Sequence, residues 1–245
     1  RRADEDGRWP DAMEFEARAM EVATHGDYWW LGGQTAAQVG LVERADELFG
    51  LAEAFYAERV SPAMYHRGRL ARARLLVEGG ETAAGLARLR EIVPPLLERA
   101  SVEFVGFTPD WVAQAPMAIA AAEEDRGDLS AARSALARGA APTYPATVRY
   151  RWHLSALIHA RAGDAAAARD SLALADAAGP VPLPGEVRGL AMEAVIRAHL
   201  GDMPEAQAAL HAAIGRSAAL LLTPRAPIAR WIERARATLR ARPDR

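Results

Sequence analysis

The stretch RWHLSALIHARAGDAAAARDSLALADAAGP, residues 151–180, decides the fold. Trp152, Ala156 and His159 recur at helical intervals before Gly163-Asp164, Ala168, Leu172 and Ala175 do so after it, and Pro180 closes the unit. This spacing predicts two antiparallel helices joined by a Gly-Asp turn. Gly163 ends the first helix where a positive φ is needed, Asp164 caps the second, and Ala156 and Ala168 are small enough for the helices to approach. Trp152 and Leu172 are expected between the two helices, with His153 outside that core.

The same template fits the other glycines, with a small residue five positions after the turn and a large one nine after it. Gly201 gives Ala206 and Leu210, Gly127 gives Ala132 and Leu136, and Gly40 gives Ala45 and Phe49. Gly80 gives Gly85 and Leu89, a looser fit, and Gly7 gives Ala12. The turns at Gly7, Gly40, Gly80, Gly127, Gly163 and Gly201 stand 33, 40, 47, 36 and 38 residues apart, which is repeat spacing with insertions. The hairpins resemble the tetratricopeptide repeat, whose unit is about 34 residues with large, small and final Pro positions at these offsets. The resemblance implies an all-α, tetratricopeptide-like superhelix of right hand over residues 1–245, a single repeat domain.

Composition agrees with this reading. Ala and Leu dominate, β-branched residues are sparse, and no stretch alternates with period two for long. No apolar run is long enough to cross a bilayer and no export signal is legible, so a cytoplasmic protein with no membrane partner is expected. With no Cys there is no disulfide framework and no thiol chemistry. Lys and Asn are also absent, which removes the phosphate-loop Lys and the Schiff-base Lys. The best-known peptide-binding tetratricopeptide type holds a C-terminal carboxylate with Lys and Asn, so this chain would need Arg in their place.

Between the repeats, several segments carry their own expectations. Gly7-Arg8-Trp9-Pro10-Asp11-Ala12 reads as the middle of a repeat, so repeats are expected upstream; a half-repeat cap is the alternative. In the helix from Gly26 to Gly40, Trp29 is assigned to the core and Trp30 to the inner surface, and Gly32-Gly33 predicts close packing or a bend. Pro94-Pro95 is expected to interrupt the second helix of the hairpin spanning residues 62–99. The insertion SVEFVGFTPDW, residues 101–111, either packs over that hairpin or folds into the groove and closes a pocket. The runs 179–185 and 220–227 read as connectors. A final arginine-rich helix, residues 228–241, reads as the polar cap a terminal repeat requires.

Catalytic and metal constellations were tested against their chemical requirements. The six His never pair at metal-ligand spacing on one helix, and no nucleophile elbow or phosphate-binding glycine loop occurs. No catalytic, metal or cofactor residues are assigned. The acidic cluster Glu123-Glu124-Asp125 with Asp128 reads as a solvated turn, with a cation site as the alternative. The net charge is −2, and the basic C-terminal stretch lacks aromatic interleaving, so direct nucleic-acid contact is not expected.

Function is therefore sought on the inner face. The resemblance implies that the first helix of each pair lines a concave groove, and the template then points Trp30, Gln34, Arg67, Arg74, Gln114, Met117, Tyr150, His153, Arg161, Arg188, Met192 and His199 inward. Such a lining combines apolar area, arginine forks for carboxylate or phosphate, and orienting Gln and His. The units RGDLSAARSAL, RAGDAAAARDSL and LGDMPEAQAAL are similar to those in the C-terminal arrays of large bacterial signal-transduction ATPases and transcriptional activators. That resemblance implies a non-catalytic module sensing an effector or binding a protein or peptide partner, with further domains upstream in the same polypeptide. A self-standing adaptor is the second reading, and a helical enzyme the third.

Overall fold

The computed structural model describes residues 25–57, 62–103, 109–220 and 222–241. These residues form eleven helices and no strand. They fall into two compact units, which within the described residues are 25–142 and 143–241. The expected turn at Gly7 and the middle of the 101–109 insertion lie outside the described residues, and no described helix is long and apolar enough to cross a membrane.

The first unit contains α1 (Gly26–Val39), α2 (Val42–Ala57), α3 (Pro62–Gly79), α4 (Thr82–Glu103), α5 (Asp110–Asp125) and α6 (Leu129–Arg138). Each odd-numbered helix packs on the even-numbered helix that follows it, and α3 also touches α1 and α5. The second unit contains α7 (Pro145–Arg161), α8 (Ala165–Asp176), α9 (Leu183–Leu200), α10 (Met203–Ser217) and α11 (Pro227–Arg240). Here α7 pairs with α8 and α9 with α10, while α9 also packs on α7 and α11.

The α7–α8 hairpin shows how the sequence builds these pairs. Gly163 has φ 81°, the left-handed conformation that ends a helix without a Cβ clash. Asp164 then accepts a hydrogen bond from the Ala167 N–H at 3.2 Å and caps α8. Ala156 and Ala168 are fully buried where the helices meet, and the Ser155 and Ser171 hydroxyls satisfy one another across the contact at 3.1 Å. Gly40, Gly80, Gly127 and Gly201 adopt the same positive φ at the other expected turns. The residues five positions on, Ala45, Ala132 and Ala206, are likewise fully buried. At the loosely fitting repeat the small position is Gly85, and a Cβ there would stand 2.6 Å from Val77 Cγ2 and 2.9 Å from the Ala73 carbonyl oxygen. Those two helices approach more closely than an alanine allows.

Three expectations are corrected. Pro94-Pro95 does not interrupt α4, which runs on to Glu103. The prolines free the carbonyls of Arg90 and Glu91, both exposed residues, while Ile92, Val93, Leu96 and Ala100 hold the other side of the helix in the core. The start of the 101–109 insertion is thus helical rather than loop. The connector 179–185 is half helix, because α9 begins at Leu183 with Pro184 in its first turn, where a missing N–H costs nothing. Third, the acidic turn is not solvated throughout: Glu123 and Glu124 are buried. Arg90 donates to Glu123 at 2.5 Å, Arg126 reaches its other oxygen at 3.4 Å, and the Thr82 hydroxyl donates to Asp125 at 2.6 Å. These bonds tie α4 to the end of α5, and no group of three or more metal-ligating side chains converges among the described residues.

Gly85→Ala should lower stability by about 1–3 kcal/mol, because the clash is with backbone and a neighbouring branched side chain. Gly215→Ala, in α10 with nothing within 4 Å of the added Cβ, should instead raise it by about 0.5–1 kcal/mol. Denaturant titration of both variants checks the contrast, and a loss at both positions would contradict it.

Candidate functional site

The inward-facing residues expected from the sequence lie on the odd-numbered helices, and in the first unit those helices are neighbours. Arg67 of α3 is the centre of the arrangement. Its guanidinium carbon sits 3.3 Å from the centroid of the Trp30 ring on α1 and 5.5 Å from that of Trp111 on α5. Its Nη1 donates to Asp27 Oδ1 at 3.0 Å, and the Tyr56 hydroxyl donates to the same oxygen at 2.8 Å. The Arg67 side chain is only 15% exposed, and burial pushes its pKa down to about 10, opposed by Asp27. It therefore remains a cation at neutral pH, held in a largely dry setting by one carboxylate and by aromatic faces. Burial and the Asp27 carboxylate together push the Tyr56 hydroxyl up, so it stays a donor. About two turns further along, Arg74 Nη1 donates to Gln114 Oε1 at 2.6 Å, joining α3 to α5. Its Nη2 also reaches Glu78 at 3.3 Å. Gln34, one turn after Trp30, is half-buried.

Trp29, Trp30 and Met117 of this unit depart from the expected orientation. Trp30 is buried at 8% exposure and Trp29 is the half-buried one, the reverse of the assignment. Gly26 and Gly33 flank Trp30 at helical spacing, and their missing Cβ atoms make room for the rings of Tyr56 and Phe49 on α2. That glycine face is the packed face, and Trp30 lies along it. Met117, expected in the groove, is 1% exposed and belongs to the core of α5.

In the second unit the structure brings Tyr150 of α7 and Arg188 of α9 together, with the guanidinium carbon 4.5 Å from the ring centroid. Beneath them His153 and Met192 are buried, at 4% and 0% exposure, instead of lining an open surface. Gly189 makes this possible, since a Cβ there would approach His153 Cε1 to 3.0 Å. His153 Nδ1 is buried without a hydrogen-bond partner. Burial, with the positive charges of Arg149 and Arg188 nearby, pushes its pKa down to about 3, so the ring is neutral. Arg149 closes the far end of the neighbouring helix, donating to the carbonyls of Ala175 at 3.2 Å and Gly179 at 2.8 Å. Trp152 is only half-buried, so the expected core position of α7 is also off by one residue. The cause is that α7 packs against α8 on one side and α9 on the other. Leu154 through Ile158 are all buried, and no single apolar stripe marks the register. Arg161 and His199 lie half-buried at the far ends of α7 and α9, away from the Tyr150–Arg188 pair by several turns of helix.

Asp27, Tyr56, Trp111 and Arg149 were not expected at these positions. Trp111 was within reach of sequence reasoning, because it stands three residues before Gln114 and shares its helix face. The Asp27–Arg67 and Tyr56–Asp27 contacts cross 40 and 29 residues, and no local pattern announces them. No family model matches this sequence, and no curated protein matches it at a significant level.

Two predictions follow from the geometry. Trp30→Ala should cost about 3–5 kcal/mol, the range for a large buried side chain, and Trp29→Ala clearly less; equal losses in thermal melts would restore the opposite register. The second concerns pH. His153 has a folded pKa of about 3, below the ordinary histidine value of 6.5, so its stabilising contribution is complete above pH 6.5. It is lost as pH falls towards 3, because the unfolded chain takes up the proton first. The denaturation midpoint of the wild type should therefore fall more steeply between pH 7 and pH 4 than that of His153→Leu, and parallel pH profiles would refute this.

Proposed function

We propose that the chain is a non-catalytic, tetratricopeptide-like module of a larger bacterial regulator, acting in the cytoplasm. It binds a protein segment or an effector along the faces of its first helices. Within each unit, the hairpin pairing and the contacts between successive first helices are what segments of a right-handed repeat superhelix require. The observation that carries the binding reading is that an arginine from one first helix lies against an aromatic ring from the preceding one in both units. Arg67 lies against Trp30, and Arg188 against Tyr150. The ring fixes the plane of the guanidinium, and a fork of fixed plane suits a carboxylate or phosphate. The adjoining aromatic surface accepts an apolar body, so the ligand chemistry that fits is an anionic group beside an apolar one.

Tyr150→Ala and Arg188→Ala test this without emptying the buried layer below. Titration of acidic peptides and small organic acids should show about tenfold or greater weakening in both variants, with far-UV dichroism unchanged. Unaltered affinity in both would remove the site from this face.

A further inference from the structure

Arg67 makes its hydrogen bonds through a single nitrogen. Nη1 donates to Asp27 Oδ1 at 3.0 Å and faces Met64 Sδ at 4.0 Å, while Nε is buried without a hydrogen-bond partner. The indole N–H of Trp30, the ring against which Arg67 lies, is also buried without one. Asp27 Oδ1 already accepts from two donors, Arg67 and the Tyr56 hydroxyl. This corner of the first unit therefore holds more donors than acceptors, and native proteins seldom leave buried donors unmatched. The group that completes it brings oxygens and no donors of its own.

Geometry narrows that group further. The Arg67 guanidinium carbon stands 3.3 Å from the Trp30 ring centroid, a distance that face-to-face stacking alone allows, so the guanidinium plane runs along the indole. Its side-on edge, Nε with Nη2, presents two parallel N–H bonds in that plane, the match for a bidentate carboxylate. A carboxylate held this way is coplanar with the guanidinium, whereas a tetrahedral phosphate would push oxygens out of the plane towards the rings. The body behind the carboxylate has to keep to the same plane. A carboxyl conjugated to an aromatic ring does so, while a peptide side chain or C-terminus carries a tetrahedral carbon next to its carboxyl and turns away. Trp111, half-buried and 5.5 Å from the guanidinium carbon, is the aromatic face left for such a ring. We propose that Arg67, with Trp30 and Trp111, binds a small aromatic carboxylate, its carboxyl taken by Nε and Nη2 and its ring stacked on Trp111. The assignment rests on the reading of the first-helix faces as binding surfaces, and it makes the ligand of the first unit a small effector rather than a protein segment.

The test is calorimetric titration of the full chain with naphthoate, naphthamide, naphthylphosphonate and the saturated decalin carboxylate. Naphthoate should bind at least about tenfold more tightly than each of the other three and should raise the melting temperature. Arg67→Lys keeps the charge and loses the side-on fork, so affinity for naphthoate should fall about tenfold. Trp111→Ala should erase the preference for the aromatic over the saturated carboxylate, a change that a purely structural tryptophan would not give. Thermal melts check that both variants fold; if Arg67→Lys does not, the ligand panel and Trp111→Ala decide. No binding of naphthoate, equal binding of its amide or phosphonate, full affinity in Arg67→Lys, or an intact aromatic preference in Trp111→Ala would each overturn the proposal. Loss of naphthoate binding in Arg188→Ala with Arg67→Lys unaffected would do the same, by moving the carboxylate to the second unit. If acidic peptides weaken in Tyr150→Ala and Arg188→Ala while naphthoate does not bind, the assignment at Arg67 falls and the general reading of the first-helix faces stands.

Discussion

Everything in each hairpin follows from how closely its two helices approach just beyond the turn. The turn glycine sets the direction of the returning chain, and five residues later the helices touch at a side chain that can be no larger than a methyl group. Ala45, Ala132, Ala168 and Ala206 meet that limit and are fully buried, while at Gly85 even the methyl is excluded. Close contact there leaves a wedge one turn further along, filled by Phe49, Leu89, Leu136, Leu172 and Leu210, none more than 9% exposed. Small and large positions are thus one constraint expressed twice, which is why the pattern survives with the described turns spaced 36 to 47 residues apart.

A chain without lysine makes its long-range polar ties with planar guanidinium forks, and α3 shows the consequence. Its four arginines reach four different helices: Arg67 to Asp27 of α1, Arg72 to Asp46 and Glu53 of α2, Arg69 to Glu91 of α4, and Arg74 to Gln114 of α5. Exposed pairs of this kind contribute little each. The Arg72–Asp46 pair is bidentate, at 2.7 and 3.0 Å, and geometry of that quality fixes orientation more than it adds energy. Arg67 differs because it is largely desolvated. Removing Asp27 would leave a buried cation with only aromatic faces for company, so the carboxylate holds the site in shape as well as balancing its charge.

The turns were legible because glycine at positive φ has few substitutes, and the cap of α8 because Asp164 sits where the first free N–H groups need an acceptor. What the sequence did not yield was helix rotation. The larger or more template-like residue was assigned to the core in α1 and α7, yet Trp30 and His153 are buried and Trp29 and Trp152 are not. In α1 the signal was present in Gly26 and Gly33, whose face is the one pressed against Phe49 and Tyr56. In α7 there was no such signal, since a helix clasped from two sides buries residues of every character. The buried Glu123 was equally hidden, because its partner Arg90 lies 33 residues away on α4.

That rotation changes where a ligand can be held. With His153 and Met192 inside, the second unit offers Tyr150 and Arg188 above a sealed layer rather than an open pocket with a histidine in it. An arginine on an open surface gains little from an exposed anion, since water competes for both and the long side chain loses its freedom on binding. Stacking on Tyr150 reduces the second of those costs, because the guanidinium is already oriented before anything binds. His153 contributes from below by remaining uncharged, so it adds no third cation to Arg149 and Arg188, and it fills the hollow that Gly189 leaves. Replacing Gly189 by a larger residue would push against His153 and tilt Arg188 away from Tyr150, which makes the glycine a positioning element of the surface although it presents no side chain to it.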